Sequence, residues 1–443
     1  MRQYVATEQD ISRIVTDFAT FCSFLKEKTP LLSKRHAQLG KNDLFSLNSL
    51  LSRPVDVSGP YYLQAKYPTI NLFFYLAMTS GLFAYASGRG NKACLVPTAK
   101  LEKYEALNLF TKYMFLFRIY WTKLDSEDLY PDAYPGQTIY LNAPDLLFQF
   151  IENAHPGEKI TPGISGRQND IIDHYLTIFF NVAGGMIHCL SDFGFWEYEQ
   201  TQSQERYQRK SDILVKSIIP SEFGLAMARA CRNRPYALYN EPAHARGEVR
   251  PAPNFFSTPE NGWIIPDESD ESAEEELIRP FEEVFLPLFP EDAINLAAID
   301  ELLAEDDQPK KLMAYVFKVS LDRNCWRRIK LSAAHTLDDL HDAIQSAFNF
   351  DNDHLYAFFM DGRAWSKKAY WDPRGEEPPY ANEVRLDQLE LWEGRKFLYL
   401  FDFGDEWRFD VLVEEVREDE TPPSRPVIIG KKGEAPEQYP SWE

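Results

Sequence analysis

Residues 397–416 read FLYLFDFGDEWRFDVLVEEV, and this stretch decides the fold of the C-terminal part of the chain. It predicts two strands, at 396–403 and 406–416, that flank Gly404 and Asp405. In the second strand apolar and polar side chains alternate, which is the period of a strand with one buried face. Because Gly404 permits a tight turn, the stretch predicts an antiparallel pair of strands joined by a polar turn.

The residues on either side extend the same architecture. Residues 313–321 alternate strictly between apolar and polar side chains, and a second short strand is predicted at 326–331. A helix with a capping-box pattern follows at 336–348, and a strand at 354–360 ends in an Asp-Gly turn signal. Residues 310–443 are therefore predicted to form an α+β domain, in which one helix packs on a twisted, mainly antiparallel sheet.

Three segments of this domain resemble a known family. They read HTLDDLHDAIQSAFNFDNDHLYAFFMDG at 335–362, FLYLFDFGDEWRFDVLVEEV at 397–416 and GKKGEAPEQYP at 430–440. Over residues 310–443 the chain resembles the plasmid pRiA4b ORF-3-like family, whose members are met on plasmids and beside insertion elements as passenger genes. The resemblance implies a fold and a mobile-DNA setting, and it implies no particular reaction.

The resemblance singles out eight motif positions, and the chain departs from the family at two others. The eight are His335, His341, His354, Asp402, Gly404, Asp405, Glu406 and Trp407. Two residues after the tryptophan the family usually has His, whereas this chain has Phe409. Where the family ends in Pro-Pro-Glu-Asp, residues 435–438 read Ala-Pro-Glu-Gln. If those positions form a site in relatives, we expect that site to be degraded here.

Carboxylates and imidazoles at the motif positions could together hold a divalent cation. His335 and His341, however, are six residues apart, about 240° around a helix, and therefore do not share a face. Asp402 and Asp405 flank the turn, where Asp commonly accepts backbone N–H bonds. We therefore expect these carboxylates to cap the turn, and we predict no catalytic residue, no metal site and no cofactor.

Most of the net charge of −21 comes from one segment. Residues 260–309 hold 17 acidic residues and one basic residue, whereas 1–135 carry a net charge of +4 and 310–443 a net charge of −7. The segment begins with an acidic run, and its apolar residues at 290–305 recur at roughly helical spacing. It is predicted to be an acidic linker with one helix. The alternative is an acidic arm that covers a basic surface or mimics nucleic acid.

The N-terminal block has the element order of a winged helix. Helices are predicted at 9–27, 33–51, 69–85 and 99–121, with a turn and a short strand in SGRGNKACLVPT before the last of them. The third helix of a DNA-reading winged helix presents polar side chains to base edges. Here that helix contains no Lys or Arg, and only Asn71 could reach a base edge. The block is predicted either to contact phosphates or to serve as a structural or dimerising module.

Two groups of basic residues are candidate binding residues. The first could contact phosphates without reading the sequence, and it comprises Lys34, Arg35, Lys41, Lys66, Arg89 and Lys92. The second comprises Arg229, Arg232 and Arg234, which could hold a phosphate or a carboxylate. The alternative for the second group is a solvated helix end favoured by the helix dipole.

The second group lies in a helical middle domain, residues 136–259, with apolar helical stretches at 144–151 and 171–189. His174 and His188 belong to the second stretch. They do not form an HxxxH or HExxH pattern, and we therefore expect them to be satisfied histidines rather than metal ligands.

Composition sets the remaining bounds. A chain of 443 residues is too long for one ordinary domain, and 44% hydrophobic residues exclude wholesale disorder. We predict four parts: 1–135, 136–259, 260–309 and 310–443. No apolar run is long and clean enough to span a bilayer, and the N-terminus lacks a signal-peptide pattern. The five scattered cysteines fit a reducing cytoplasm.

The chain is thus predicted to be a multidomain α+β protein, mainly helical in its N-terminal two-thirds. Its leading functional prediction is a cytoplasmic, non-enzymatic binding or accessory protein of a mobile-element or defence context. The expected partner is a protein or a nucleic acid, without a membrane, and a homodimer is one option. One alternative is an enzyme acting on nucleic acid or a nucleotide, with its site near Asp402–Glu406. Another is a small-ligand sensor.

Overall fold

The structure is a computed structural model, and it describes residues 4–33, 37–89, 92–130, 139–162, 180, 183–201, 213–232, 240–241, 281–304, 313–376, 378–418 and 421–439. The chain divides into two compact units. The first unit comprises Met1–Lys28, Lys41–Phe83 and Pro97–Leu303, and the second comprises Thr29–Gly40, Ala84–Val96 and Ala304–Glu443. The elements are a mixture of helices and antiparallel strands, which is the predicted α+β class. The division into four parts stays a prediction.

The first unit is mainly helical. Its helices are α1 (Glu8–Lys28), α2 (Lys41–Asn48), α3 (Pro68–Thr79), α4 (Ala99–Glu105), α5 (Leu109–Thr122), α6 (Ser126–Leu129), α7 (Ile139–Ile151), α8 (Gly184–Asp192), α9 (Glu222–Cys231) and α10 (Leu296–Leu303). In the sequence α3 is followed by a hairpin of β1 (Phe83–Ser87) and β2 (Ala93–Pro97), most of which belongs to the second unit. Within the first unit β3 (Trp196–Gln200) pairs with β4 (Val215–Pro220). No helix in this list, nor the one of the second unit, is long and apolar enough to cross a membrane.

Aromatic side chains form the centre of the first unit. The ring of Phe18 in α1 meets that of Phe73 in α3 edge to face, with 5.4 Å between centroids. Phe117 in α5 makes similar contacts with Phe193 and Phe285 at 5.4 Å. Burying large rings removes much apolar area from water, and edge-to-face pairs add to that stabilisation. These contacts hold the helices together.

Several predicted boundaries in this region were wrong. The helix predicted at 33–51 begins only at Lys41, because Ser33 donates its backbone N–H to Gln38 in a turn. The helix predicted at 99–121 is two helices, because the Asn108 side chain accepts from the Thr111 N–H and begins a new one. The third predicted helix ends at Thr79, and a hairpin follows.

The N-terminal order is helix, helix, helix, hairpin, helix, as the sequence predicts. That order alone does not establish a winged helix, which stays a prediction. In the middle part, α7 begins five residues before the predicted start. Most of the helix predicted at 171–189 lies outside the described residues, and so does the acidic run at 267–277. The linker helix predicted at 290–305 is the shorter α10.

The second unit is built on a seven-stranded antiparallel sheet. Its elements are β5 (Met313–Ser320), β6 (Trp326–Ser332), α11 (Leu337–Phe348), β7 (Tyr356–Phe359), β8 (Ala369–Trp371), β9 (Lys396–Phe401), β10 (Trp407–Glu418) and β11 (Val427–Lys432). The strand order across the sheet is β11-β6-β5-β10-β9-β7-β8. The pairing of β9 with β10, and the strands β5, β6 and β7, confirm the sequence prediction. The two edge strands, β8 and β11, were missed.

One face of this sheet, which we call the inner face, packs on α11. Phe317, Tyr399 and Phe409 point to this face and belong to one buried cluster with Leu340 and Ile344 of the helix. The helix begins as predicted: the Thr336 side chain accepts from the Asp339 N–H, and the Asp339 side chain accepts from the Thr336 N–H. Side chains on a strand alternate, so the intervening residues form a second, outer face.

Candidate functional site

The N-terminal basic candidates lie on separate elements. Lys34 and Arg35 are outside the described residues. Lys41 begins α2 and Lys66 ends a short 3-10 helix, both in the first unit, whereas Arg89 and Lys92 belong to the β1–β2 turn in the second. The structure thus places these four residues on three different elements.

Asn71 cannot reach a base edge, which corrects the sequence-based expectation. Its side chain is 2% exposed. Its Oδ1 accepts a hydrogen bond from Gln64 at 3.0 Å, and its Nδ2 donates to the carbonyl oxygens of Asp128 and Leu129. Because most of α3 is buried around it, this helix contributes to the core of the first unit.

Arg229 and Arg232 both contact the residue that follows α7. Arg229 donates to the carbonyl oxygen of Glu152 at 3.1 and 3.2 Å, and Arg232 forms an ion pair with the Glu152 carboxylate. A guanidinium at a helix C-terminus satisfies free carbonyl groups and opposes the helix dipole favourably. Arg234 lies outside the described residues.

His188 is satisfied by its neighbours. Its Nε2 lies 2.8 Å from the Thr69 hydroxyl and 3.3 Å from Asp192, and its Nδ1 lies 2.7 Å from the Tyr198 hydroxyl. The Thr69 hydroxyl donates to Asp192 at 2.8 Å. Burial alone would raise the pKa of Asp192, but His188, Thr69 and Arg13 outweigh it and lower that pKa. His174 lies outside the described residues.

The motif turn between β9 and β10 is held by Asp402. Its Oδ1 accepts the N–H groups of Gly404 at 2.9 Å and Asp405 at 3.3 Å, and its carbonyl accepts that of Glu406 at 2.7 Å. Asp402 and Glu406 both have positive φ angles, 56° and 50°. Asp405 is exposed and has no such capping role. Of the two carboxylates expected to cap the turn, only Asp402 does so.

One side of this turn meets His354 and the C-terminal segment. His354 Nε2 lies 3.5 Å from Asp402 Oδ2, and 3.9 Å from Asp353. The Tyr439 hydroxyl donates to Asp353 at 2.5 Å, which lowers the pKa of that carboxyl. Gln438 accepts the N–H of Asp351 at 2.6 Å. The described end of the family-like segment, Gln438 and Tyr439, therefore lies against the loop before β7 that carries His354.

The other two histidines of the motif lie elsewhere. His335 Nδ1 accepts the N–H of Ser332 at 3.0 Å. His341 is 1% exposed, its ring stacks on Tyr356 at 3.7 Å between centroids, and its Nδ1 lies 2.7 Å from the Tyr399 hydroxyl. Burial lowers the pKa of His341 to about 4, so its imidazole is neutral at pH 7. Within the described part of the chain, no group of three or more His, Cys, Asp or Glu residues is placed to hold a metal ion.

On its other side the turn supports an exposed tryptophan. Trp365, in the loop between β7 and β8, is 50% exposed and has a φ of 64°. Its indole nitrogen donates to Glu406 at 3.1 Å, and Arg408 donates to the other carboxylate oxygen of Glu406 at 2.6 Å. The Arg408 and Trp365 donors hold the pKa of Glu406 below its usual value. Trp365 therefore has a fixed orientation at the surface.

Phe359, Trp371 and Phe403 pack around Trp365. The centroid of the Phe403 ring lies 5.0 Å from that of Trp365, with 68° between the planes. Phe359 and Trp371 lie at 6.1 and 6.4 Å, with angles of 62° and 34°. None of these three rings is parallel to the indole. We call Trp365 and these three rings the aromatic shelf.

The outer face of the sheet carries positive charge. From the register of the strands, its basic residues are Lys318, Arg328, Lys330, Lys396, Arg408, Arg417 and Lys432. Its acidic residues are Asp410, Glu414 and Glu415. The seven basic and three acidic residues give this face an excess of positive charge in a chain with a net charge of −21. We call these seven basic residues the basic face.

Trp326 organises part of the basic face. The Lys318 ammonium lies 5.0 Å from the centroid of the Trp326 ring, and the Arg328 guanidinium lies 4.9 Å from it. Arg328 also forms an ion pair with Glu414. Lys432 donates to the Asn324 side chain at 3.2 Å. Cation–π contacts of this kind restrict long side chains to the surface of the sheet.

Sequence reasoning missed the aromatic shelf and the basic face. The alternation in β10 already separates Arg408, Asp410 and Glu414 from the buried side chains. No local pattern indicates that residues from β5, β6 and β11 share that face, because the sheet brings together strands that are far apart in sequence. The hydrogen bond between Trp365 and Glu406 likewise joins two distant loops.

Residues 313–439 match the family model described as plasmid pRiA4b ORF-3-like protein. This match confirms the resemblance predicted for the C-terminal part. The uncharacterized protein y4hQ of Sinorhizobium fredii (strain NBRC 101917 / NGR234) is 33% identical over 102 residues, which are 22% of this chain and 51% of that protein. The chain thus spans about half the length of this curated relative.

A solved structure is also similar. It is the crystal structure of the protein of unknown function MM3350 from Methanosarcina mazei Go1, with 25% sequence identity and a TM-score of 0.24. The similarity covers 28% of this chain and 71% of that one.

Proposed function

We propose that the chain is a non-enzymatic binding or accessory protein that binds DNA phosphates through its basic face. The observation that carries this proposal is the reversal of charge sign on the outer face of the sheet. A chain with a net charge of −21 repels nucleic acid at long range, so an interface needs a local concentration of Lys and Arg. The basic face supplies one on a regular, antiparallel scaffold.

Three of the motif residues are engaged in contacts within the fold, which supports a binding role rather than catalysis by these side chains. Asp402 accepts backbone N–H groups, Glu406 accepts from Trp365 and Arg408, and His341 is buried against Tyr399 and Tyr356. Each of these three side chains is engaged in contacts that hold the fold. A catalytic acid or base has to reach a substrate proton within hydrogen-bonding distance.

The matched family and the N-terminal block support two further parts of the proposal, the partner and the role of the first helices. The matched family takes its name from a plasmid protein, which supports a mobile-DNA setting and DNA as the partner. The order of α1, α2, α3, the hairpin and α4 supports a winged-helix-like block. Because α3 is buried and Asn71 is engaged, this block serves as a structural or dimerising module rather than a reader of base edges.

The test is fluorescence anisotropy of labelled DNA with the full-length protein across a salt series. One variant replaces Lys318, Lys330 and Lys432 of the basic face with Ala. A control with the same change in charge replaces Lys41, Lys66 and Lys92, which the sequence also suggested. Each phosphate contact contributes about 0.7 to the salt slope for a single strand and about 0.9 for a duplex. We expect the first variant to reduce the slope by about two to three.

We expect the control variant to bind as the wild type does. If only the control variant loses affinity, the N-terminal basic residues form the interface and the basic face does not. If the wild type does not bind DNA at about 50 mM salt, where phosphate contacts are strong, the proposal is wrong.

A further inference from the structure

We infer that the DNA bound by this protein is single-stranded and that one of its bases stacks on Trp365. This inference rests on the proposed function and specifies the form of the nucleic acid. Proteins that bind single strands combine a basic surface along the backbone with exposed aromatic rings on which bases stack. The outer side of the C-terminal sheet presents both features, the basic face and the aromatic shelf.

The backbone of Trp365 has an unfavourable conformation that its neighbours impose. A φ of 64° is a genuine outlier for a bulky side chain, and such a conformation persists only where the surroundings impose it. Here Glu406 accepts the indole N–H at 3.1 Å, and Arg408 fixes Glu406 in turn. These two contacts hold a large apolar ring half exposed at the surface.

Half of the Trp365 side chain is exposed, and the three neighbouring rings do not stack parallel to it. Phe403 and Phe359 meet the indole at 68° and 62°, and Trp371 is tilted by 34° with 6.4 Å between centroids. A parallel stacking partner is therefore absent among these three neighbours. A nucleobase is such a partner, and stacking on an aromatic ring contributes similarly for every base.

The charges around the shelf suit a DNA strand. The loop that carries Trp365 has a net positive charge, because Arg363, Lys367 and Lys368 outnumber its one acidic residue, Asp361. Arg408 connects the basic face to the aromatic shelf along one row of the sheet. It is paired with Leu400 of β9, Leu400 with Ala357 of β7, and Ala357 with Trp371 of the shelf. A strand with one base on Trp365 can thus extend its phosphates toward Lys318 and Lys432.

An internal base of a duplex cannot make this contact without losing its base pair, since it is already stacked between its neighbours. A comparison of duplex with single-stranded DNA therefore tests base stacking on Trp365 separately from phosphate binding by the basic face. A protein that uses only the basic face binds duplex and single strand through phosphates. A protein that also uses Trp365 gains additional affinity for the single strand alone.

The experiment compares labelled dT12 with a 12-base-pair duplex, using the full-length wild type, Trp365→Ala and Trp365→Phe. Tyr61→Ala is the matched control, because Tyr61 is another strongly exposed aromatic residue, in the first unit. We expect Trp365→Ala to weaken dT12 binding by roughly 5- to 100-fold, the range that loss of one stacked base produces. Duplex binding should stay within twofold of the wild type, Trp365→Phe should retain most of the affinity, and Tyr61→Ala should have no effect. Thermal unfolding establishes that each variant is folded.

The possible results distinguish base stacking on Trp365 from DNA binding by the basic face. If dT12 and the duplex bind with equal affinity and Trp365→Ala changes neither, the stacking inference is wrong and the proposed function stands. If neither oligonucleotide binds to the wild type, both are wrong. Tighter binding of rU12 than of dT12 by tenfold or more would overturn the assignment to DNA.

Discussion

The indole nitrogen of Trp365 donates a hydrogen bond of 3.1 Å to Oε1 of Glu406, which lies 41 positions further along the chain. Glu406 belongs to the Asp402–Trp407 turn that characterises the C-terminal domain, whereas Trp365 lies in the loop between the two outermost strands on one side of the sheet. The motif turn therefore has two structural roles. It closes the β9–β10 hairpin, and it orients an exposed aromatic ring.

Glu406→Gln tests the second role. The amide oxygen of Gln can still accept from the indole, but the charge that holds Arg408 is lost, so Trp365 becomes less ordered. We expect dT12 binding to weaken by less than Trp365→Ala produces, with the same thermal unfolding temperature as the wild type. Anisotropy and thermal unfolding measure the two quantities. A loss of affinity larger than that of Trp365→Ala would mean that Glu406 itself contacts the ligand.

Asp402→Ala is expected to destabilise the second unit. The substitution leaves two backbone N–H groups without their acceptor and puts Ala where φ is 56°. We expect a loss of about 1–3 kcal/mol in the free energy of unfolding, measured with urea. Asp402→Asn should cost less, because Asn keeps the acceptor and tolerates left-handed backbone.

Asp405→Ala is the matched control for that experiment. Asp405 is exposed and its side chain does not cap the turn, so its substitution should change stability by no more than about 0.5 kcal/mol. Equal losses for Asp402→Ala and Asp405→Ala would show that the capping geometry is not what stabilises the turn.

His341 makes the stability of the protein depend on pH. Burial lowers its pKa to about 4 in the folded state, whereas an unfolded His has a pKa of about 6.5. Between these values the unfolded state binds the additional proton, so stability decreases as the pH falls from about 6.5 toward 4. A difference of this size corresponds to about 3 kcal/mol.

His341→Phe should remove this dependence, since Phe keeps the stack on Tyr356 and cannot titrate. The measurement is urea unfolding from pH 7 to pH 4.5 for wild type and variant. The explanation is wrong if the two curves fall in parallel over this range.

Asp192 should make stability depend on pH in a range below that of His341. Its pKa is depressed in the folded state, so its contribution to stability is present above its unfolded value of about 3.9 and is lost as the pH falls through the folded value. Asp192→Asn removes the buried carboxylate that accepts from Thr69 and lies 3.3 Å from His188 Nε2, and weakening a buried hydrogen-bonded group of this kind costs about 1–3 kcal/mol. We expect the difference in unfolding temperature between wild type and variant to be largest at pH 7 and to narrow below pH 4. A constant difference from pH 7 to pH 3 would contradict this account.

Local patterns in the sequence determined the parts of the fold that depend on neighbouring residues. The alternation at 406–416 predicted β10, and the pair Thr336 and Asp339 predicted the beginning of α11. Each of these signals lies within one element, where period and capping are sufficient. The turn at Gly404 and Asp405 was also recognised for this reason. The break at Asn108 was local as well, but the apolar residues on both sides concealed it.

Only the tertiary structure decided what the outer side of the sheet presents. The edge strands β8 and β11 pair with partners distant in sequence, and their short, mixed patterns have no clear strand period. Trp365 is fixed by a hydrogen bond across 41 residues, and the basic face gathers seven residues, one or two from each of five strands. A sequence records which side chains exist, whereas the sheet determines which of them become neighbours. For this chain, the surface that would bind a partner is a product of strand order.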